Sequence, residues 1–293
     1  MTGPELDETQ TWGDLDARSS KTRTICGGGD MVWRSWGEGD QPLVFLHGGA
    51  GSWLHWIHTI PAFNTTRRVI APDLPGLGES AAPPKGAGGA DIAEIIAVGL
   101  DAVIGKDTSC ELVGFSFGGV MAGLVASVRR PVRSLTLVGS GGLGAVQRAA
   151  ALQRVRDKTG VARDQAHRAN LHAWMIADPE RIDPLAVEIQ DWNSRRARLD
   201  SRPFGLSDLL VTALPKVDAP IVGIWGARDH AMQGEPQRAE TALRAVRPDT
   251  KFRVIADSGH WVAYETPDAF TQTLRETRPS DNYAGLKSEA PRI

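Results

Sequence analysis

Residues 110–128 read CELVGFSFGGVMAGLVASV, and the way this stretch must fold decides how the rest of the chain is arranged. Cys110 to Phe115 is a largely apolar run of strand length, and Gly119 to Val128 is a run of small residues suited to a helix lying close on a sheet. Between them, Gly114-Phe115-Ser116-Phe117-Gly118 forms a G-x-S-x-G pattern. A serine placed where a buried strand turns sharply into a helix is held on a strained backbone, with its hydroxyl pushed out above the sheet. The glycines serve that geometry, because a side chain at either position would collide with the neighbouring strand or helix. Such a turn mounts a nucleophile.

Outward from this stretch, apolar bursts of strand length recur at residues 31–36, 42–46, 68–72, 133–138, 221–225 and 252–255. Most are near-continuous rather than alternating, which marks strands covered on both faces. Helical segments separate many of them. Asp91-Ile-Ala-Glu94 reads as a capping box with Asp91 as the cap, opening an amphipathic helix that runs through Ile104. The alternation predicts an α/β fold, a mostly parallel sheet with helices on both faces, whose functional groups gather at the carboxyl ends of the strands. The rhythm breaks over residues 142–214, which hold helical stretches at Ala149–Arg156, Asp164–Ile176 and Pro184–Leu199 and no strand. A helical cap inserted after one strand is the expectation, since crossovers rarely need so many residues. The core is then 23–141 with 215–277, and residues 1–22 and 278–293 read as poorly ordered ends.

Composition excludes several classes of function. The chain has 293 residues, with 33 Lys plus Arg against 35 Asp plus Glu and a formal charge of -2. No electrostatic footprint for nucleic acid or an anionic membrane is present, which leaves a small-molecule substrate as the expected partner. No stretch approaches the roughly 18 apolar residues of a membrane-spanning helix, and the polar, acidic start does not read as a secretory signal. Only Cys26 and Cys110 occur. Cys110 opens a buried strand, so a disulfide framework is not expected and a reducing cytoplasm is. Oligomeric state is left open.

A serine is a weak nucleophile until a base takes its proton, and a buried acid must orient that base. The usual chain order after this turn is Ser, then Asp or Glu, then His, each at the end of a later strand. Residues 221–229, IVGIWGARD, and 252–260, FRVIADSGH, run from strand to polar loop and supply Asp229 and His260. Asp257 is the alternative acid. Backbone donors for an oxyanion are expected from the N–H of Phe117, at the start of a helix, and from the loop Leu46-His-Gly-Gly-Ala-Gly51. Within that loop Gly49 is the first candidate and Ala50 the second, with Gly48 beside the substrate. The lysine that would make this a phosphate-binding loop is missing. His55 and His58 stand three apart without a further ligand at metal spacing, so no metal site is read, and His167 and His172 carry no signal.

Taken together, His47-Gly-Gly49, Asp73-Leu-Pro-Gly-Leu-Gly-Glu-Ser80, the Ser116 turn, Gly226-Ala-Arg-Asp229 and Gly259-His-Trp261 resemble the α/β-hydrolase fold superfamily over approximately residues 30–277. The resemblance implies an eight-stranded sheet, a helical cap after the sixth strand, and no cofactor. Within the superfamily, the glycine-rich loop, Gly139-Ser-Gly-Gly142 and the His260-Trp261 pair resemble hydrolases that cleave carbon–carbon bonds in ring-fission products. Those enzymes commonly carry asparagine before the nucleophile, where this chain has Phe115. They also resemble enzymes that use a cap arginine to hold a carboxylate, for which Arg195, Arg196 and Arg198 are the candidates here. Phe115, Trp174, Met175, Trp192, Phe204 and Trp261 are candidates for contact with the substrate. The expected function is a serine hydrolase acting on a carboxylic ester or related acyl compound through an acyl-enzyme. Carbon–carbon bond hydrolysis of vinylogous diketones is the alternative, and a non-catalytic ligand receptor on the same scaffold is the alternative of another class.

Overall fold

The computed structural model describes residues 12–129, 131–144 and 152–279. Eight strands, β1 (Ser20–Cys26), β2 (Gly29–Trp36), β3 (Leu43–Leu46), β4 (Val69–Pro72), β5 (Cys110–Phe115), β6 (Val132–Val138), β7 (Ile221–Gly226) and β8 (Lys251–Ile255), form one sheet in the order β1-β2-β4-β3-β5-β6-β7-β8. β1 and β2 pair antiparallel, as do β2 and β4, and every pairing from β4 onward is parallel. The helices are α1 (Trp12–Ala17), α2 (Ile60–Phe63), α3 (Gly89–Ile104), α4 (Phe117–Val128), α5 (Gly160–Asn170), α6 (Pro184–Arg196), α7 (Arg202–Gly205), α8 (Leu209–Ala213), α9 (Gln237–Val246), α10 (Val262–Glu265) and α11 (Pro267–Thr277). α5 to α8 all lie between β6 and β7.

The near-continuous apolar strands are buried because both faces are covered, and successive side chains go to opposite layers. Val44, Leu46 and Leu112 point into one core with α3, α4 and α9. Leu43, Phe45, Val113 and Phe115 point into the other, with Trp53, Trp56, α10 and α11. At the centre, the turn from β5 into α4 is as tight as its glycines require. A methyl carbon added to Gly114 would lie 2.6 Å from the Cα of Gly119, and one added to Gly118 would lie 2.6 Å from the carbonyl carbon of Leu46.

Three expectations from the sequence are corrected. Residues 12–22 are ordered: α1 and β1 occupy most of them, although β1 is exposed over nearly its whole length and offers no hydrophobic signal. Backbone pairing with β2 holds that strand, while Trp36 Nε1 donating to the Leu15 carbonyl at 2.7 Å and Arg34 pairing with Asp16 hold α1. Arg278 is anchored as well, its guanidinium on the buried Glu111 at 2.6 Å. Residues 1–11 and 280–293 lie outside the described residues. Asp91 is not the cap of α3 but its third residue, where its carboxylate accepts the Gly88 N–H at 2.8 Å. Finally, residues 152–156 form no helix, 145–151 lie outside the described residues, and the stretch from Asp164 becomes α5 followed by a π-helical turn at Leu171–Met175. Among the described residues no helix is long and apolar enough to cross a membrane.

Candidate active site

Ser116 sits between β5 and α4 with φ 52° and ψ -115°, a backbone conformation that costs a non-glycine residue of order 1–3 kcal/mol. Its amide donates to the Val138 carbonyl at 2.9 Å, and its own carbonyl starts the helix by accepting from Gly119 at 3.0 Å. The serine is thereby locked at the carboxyl end of the central strands. Its side chain is partly exposed amid buried neighbours.

The loops after β7 and β8 bring two further groups to this point. His260, 2% exposed, has Nε2 3.1 Å from Ser116 Oγ. Its Nδ1 lies 3.1 and 3.0 Å from the two carboxylate oxygens of Asp229, which is fully buried. An acceptor carboxylate at Nδ1 fixes the ring proton there and leaves the Nε2 lone pair facing the serine hydroxyl, which donates to it. The Ala231 N–H, donating to Asp229 Oδ1 at 2.8 Å, holds the carboxylate in place. Asp257 is exposed with φ 53° and belongs to the turn, so Asp229 is the acid that meets the imidazole.

The loop after β3 forms the opposite wall. His47 Nε2 accepts from the Leu74 amide at 2.8 Å, so its Nδ1–H donates to the Gly48 carbonyl, also at 2.8 Å. The Gly48 N–H donates to Nδ1 of His55 at 3.2 Å. Two neutral imidazoles therefore grip the two peptide groups on either side of Gly48. Burial pushes His47 down to about 4 and His55 well below the usual histidine range, which keeps both in the form this grip needs. Gly48 is accordingly buried with its N–H occupied, whereas Gly49 and Ala50 are partly exposed. Gly49 lies against Phe117, the first residue of α4, and a side chain on Gly49 would also run into Ser201. The Phe117 N–H, at a helix start, has no acceptor four residues back.

The side chains expected near a substrate divide into two groups. Trp174, in the π-helical turn, has its ring centroid 5.7 Å from that of His260, and Phe204 packs on Phe117 at 5.5 Å. Phe115 and Trp261, by contrast, are 2% and 0% exposed. Phe115 lies behind the site between His260 and His55, and Trp261 donates its Nε1–H to the His55 carbonyl at 2.9 Å. Both support the wall from behind rather than line it. Trp192 faces Trp12, with ring centroids 6.2 Å apart, and carries Arg196 over its ring at 4.1 Å. Arg195 pairs with Asp191 at 2.6 Å, and Arg198 donates to the carbonyls of Gly78 and Ser80 at 2.9 and 2.5 Å. Each of the three arginines is thus engaged by the protein itself. Among the described residues no group of three or more potential metal ligands occurs, and the His58 ring lies tilted against Tyr264, with centroids 4.7 Å apart. Ser201 and Glu265, which the sequence reading passed over, both adjoin the site. The fold alone brings Ser201 there, whereas Glu265 follows His260 by only five residues and its polar character in an otherwise apolar run was the signal to notice.

Residues 43–273 match the family model of the alpha/beta hydrolase family, and the chain belongs to that family. Among curated relatives, it is 29% identical over 256 residues to the dihydrolipoyllysine-residue acetyltransferase component of an acetoin cleaving system from Pseudomonas putida, with 81% of this chain and 63% of that protein covered. It is 41% identical over 108 residues to 2-hydroxymuconate semialdehyde hydrolase from Pseudomonas sp. (strain CF600), covering 35% of this chain and 37% of the relative. The chain thus spans less than two thirds of either protein. A third relative, a 2-hydroxy-6-oxononadienedioate/2-hydroxy-6-oxononatrienedioate hydrolase from Paraburkholderia phymatum, is 27% identical over 293 residues, covering 91% of this chain and 98% of the relative. The solved structure of an esterase, RhEst1 from Rhodococcus sp. ECU1013, shares the fold with a TM-score of 0.71 at 20% identity, covering 88% of this chain and 98% of that one.

Proposed function

We propose that this alpha/beta hydrolase is a serine hydrolase that cleaves a carboxylic ester or related acyl compound. The observation carrying the reading is the unbroken hydrogen-bonded line from Ser116 Oγ through His260 to Asp229, at 3.1 and 3.0 Å, with the serine partly exposed and the other two buried. Ser116 Oγ attacks the acyl carbonyl while its proton passes to His260 Nε2, and the N–H groups of Gly49 and Phe117 receive the charge that develops on the carbonyl oxygen. His260 returns the proton to the leaving alcohol, then takes one from the water that releases the acid from Ser116. Asp229 holds the imidazole in its tautomer and stabilises its cationic form. The helices between β6 and β7 act as the cap, and Trp174 and Phe204 form apolar walls for the acyl or leaving group.

Hydrolysis of the carbon–carbon bond of a vinylogous diketone by the same three residues is the second reading, favoured by the Paraburkholderia relative that aligns along nearly the whole chain. The engagement of Arg195, Arg196 and Arg198 within the protein, together with Phe115 before the nucleophile, favours the ester reading over it. Turnover of a panel of aryl esters against a coloured ring-fission dienoate separates the two. Replacing Ser116 with Ala is expected to lower turnover at least about a thousandfold, because only oxyanion binding is left. A variant retaining most of its rate, or an intact protein that a fluorophosphonate fails to label at Ser116, overturns the proposal.

A further inference from the structure

The turn that carries His260 is fixed by a group that plays no part in the proton transfers. Glu265, the last residue of α10, is 4% exposed. Its Oε2 accepts from the Gly259 N–H at 2.7 Å and from the Ala177 N–H at 3.1 Å, and its Oε1 accepts from the Asp178 N–H at 2.8 Å. One buried carboxylate thus joins the peptide immediately before His260 to the chain just after the π-helical turn that carries Trp174. Hydrogen bonds from backbone N–H groups to a carboxylate are charge-assisted and short, so the joint is stiff.

Other bonds close the same seam. The Trp261 N–H donates to the Met175 carbonyl at 2.7 Å, His230 Nδ1 lies 2.8 Å from the Ala173 carbonyl, and Arg228 donates to the Ala177 carbonyl at 3.1 Å. Residues 173–177 are therefore sewn both to the loop of the acid and to the loop of the base. The approach is close enough that a methyl on Gly259 would sit 2.8 Å from the Ala177 nitrogen and 3.1 Å from Glu265 Oε2. From the end of α10 the glutamate carboxylate meets Gly259 and Ala177 with one oxygen and Asp178 with the other, so side-chain reach as well as charge enters this contact.

We propose that Glu265 is a positioning residue that locks the His260 turn and the Trp174 wall into one rigid unit, so that the base and that side of the pocket keep a constant spacing during turnover. This rests on the serine-hydrolase reading. A misplacement of about 1 Å at a reacting group costs on the order of a hundredfold in rate. The role separates from a purely electrostatic or stabilising one by comparing Glu265→Gln, which keeps the reach and loses the charge, with Glu265→Asp, which keeps the charge and loses the reach. With its carbonyl placed at the Oε2 position, glutamine keeps the acceptor for Gly259 and Ala177 and sets its NH2 against the Asp178 N–H, a donor facing a donor at the partly exposed end of the joint.

The experiment measures kcat and KM on an aryl ester, and the rate at which a fluorophosphonate labels Ser116, for the full-length parent and both variants, with near-UV circular dichroism and thermal unfolding as controls of fold. The expected order of kcat is Glu, then Gln within about threefold, then Asp lower by at least about thirtyfold, with KM moving less than about threefold and the labelling rate following kcat. An Asp variant as active as the Gln variant, or losses confined to KM, overturns the assignment. If the Asp variant does not fold, the Gln variant decides: a loss beyond about thirtyfold in a folded protein rejects the role of reach. Failure of the parent itself to be labelled rejects the hydrolase reading instead, so the two outcomes are distinct.

Discussion

Replacing Gly118 with Ala tests whether the turn from β5 into α4 has the geometry on which the site depends. The added carbon would stand 2.6 Å from the carbonyl carbon of Leu46 and closer still to the carbonyl oxygens of Leu46 and His47. Carbon atoms ordinarily rest about 3.5–4.0 Å apart, so either the start of α4 or the chain at 46–47 must give by about 1 Å. Both carry proposed oxyanion donors, Phe117 on one side and Gly49 two residues beyond His47 on the other. Overpacking of this kind costs about 1–3 kcal/mol, offset in part by the roughly 0.5–1 kcal/mol that alanine gains over glycine inside a helix. The expected result is a Tm lower by a few degrees, at about 2–4 °C per kcal/mol for a large domain, and a fall in kcat/KM on the order of a hundredfold. Calorimetry and initial rates on an aryl ester read the two effects. Gly28→Ala is the matched control, because an added methyl there meets nothing within 4 Å. A Gly118→Ala protein with the parent's Tm and kcat/KM refutes the close approach of helix and loop.

Three further outcomes are expected. Asp229→Asn places an amide against Nδ1 of His260 and favours the wrong tautomer, so kcat should drop by about 10⁴ while the protein stays folded; a drop below tenfold in steady-state kinetics would remove Asp229 from its role. Because burial holds His47 at about 4 while an unfolded histidine titrates near 6.5, the unfolded chain takes up the proton first. Stability must therefore fall as pH drops from about 6.5 to 4, by about 3 kcal/mol from His47 with His55 adding in the same direction; a Tm that is flat over this window contradicts the neutral grip on Gly48. Burial pushes the Cys110 thiol up to about 12 and raises Cys26 as well, so the native protein should resist an aromatic disulfide reagent at pH 8 and yield both of its thiols in guanidinium, whereas rapid native labelling would place one at the surface.

What the chain alone determined is what a single local segment carries. The positive φ of Ser116, the glycines around it and the apolar strands leading to Asp229 and His260 are short-range demands of backbone sterics and burial, so the parallel part of the sheet and the polar residues at its carboxyl edge were legible before any coordinates. The polar edge strand β1 was not, because it is held by backbone hydrogen bonds to β2 that leave no mark in side-chain hydrophobicity. The tertiary structure decided every question that turns on which distant segments touch. Phe115 and Trp261 face inward, Trp192 meets Trp12, the three arginines are bound within the protein, and Glu265 reaches Gly259 and Ala177 together. Spacing along a chain gives the direction of a side chain within its own element, but the seating of α5 to α8 on the sheet depends on the sum of many contacts between segments far apart in sequence.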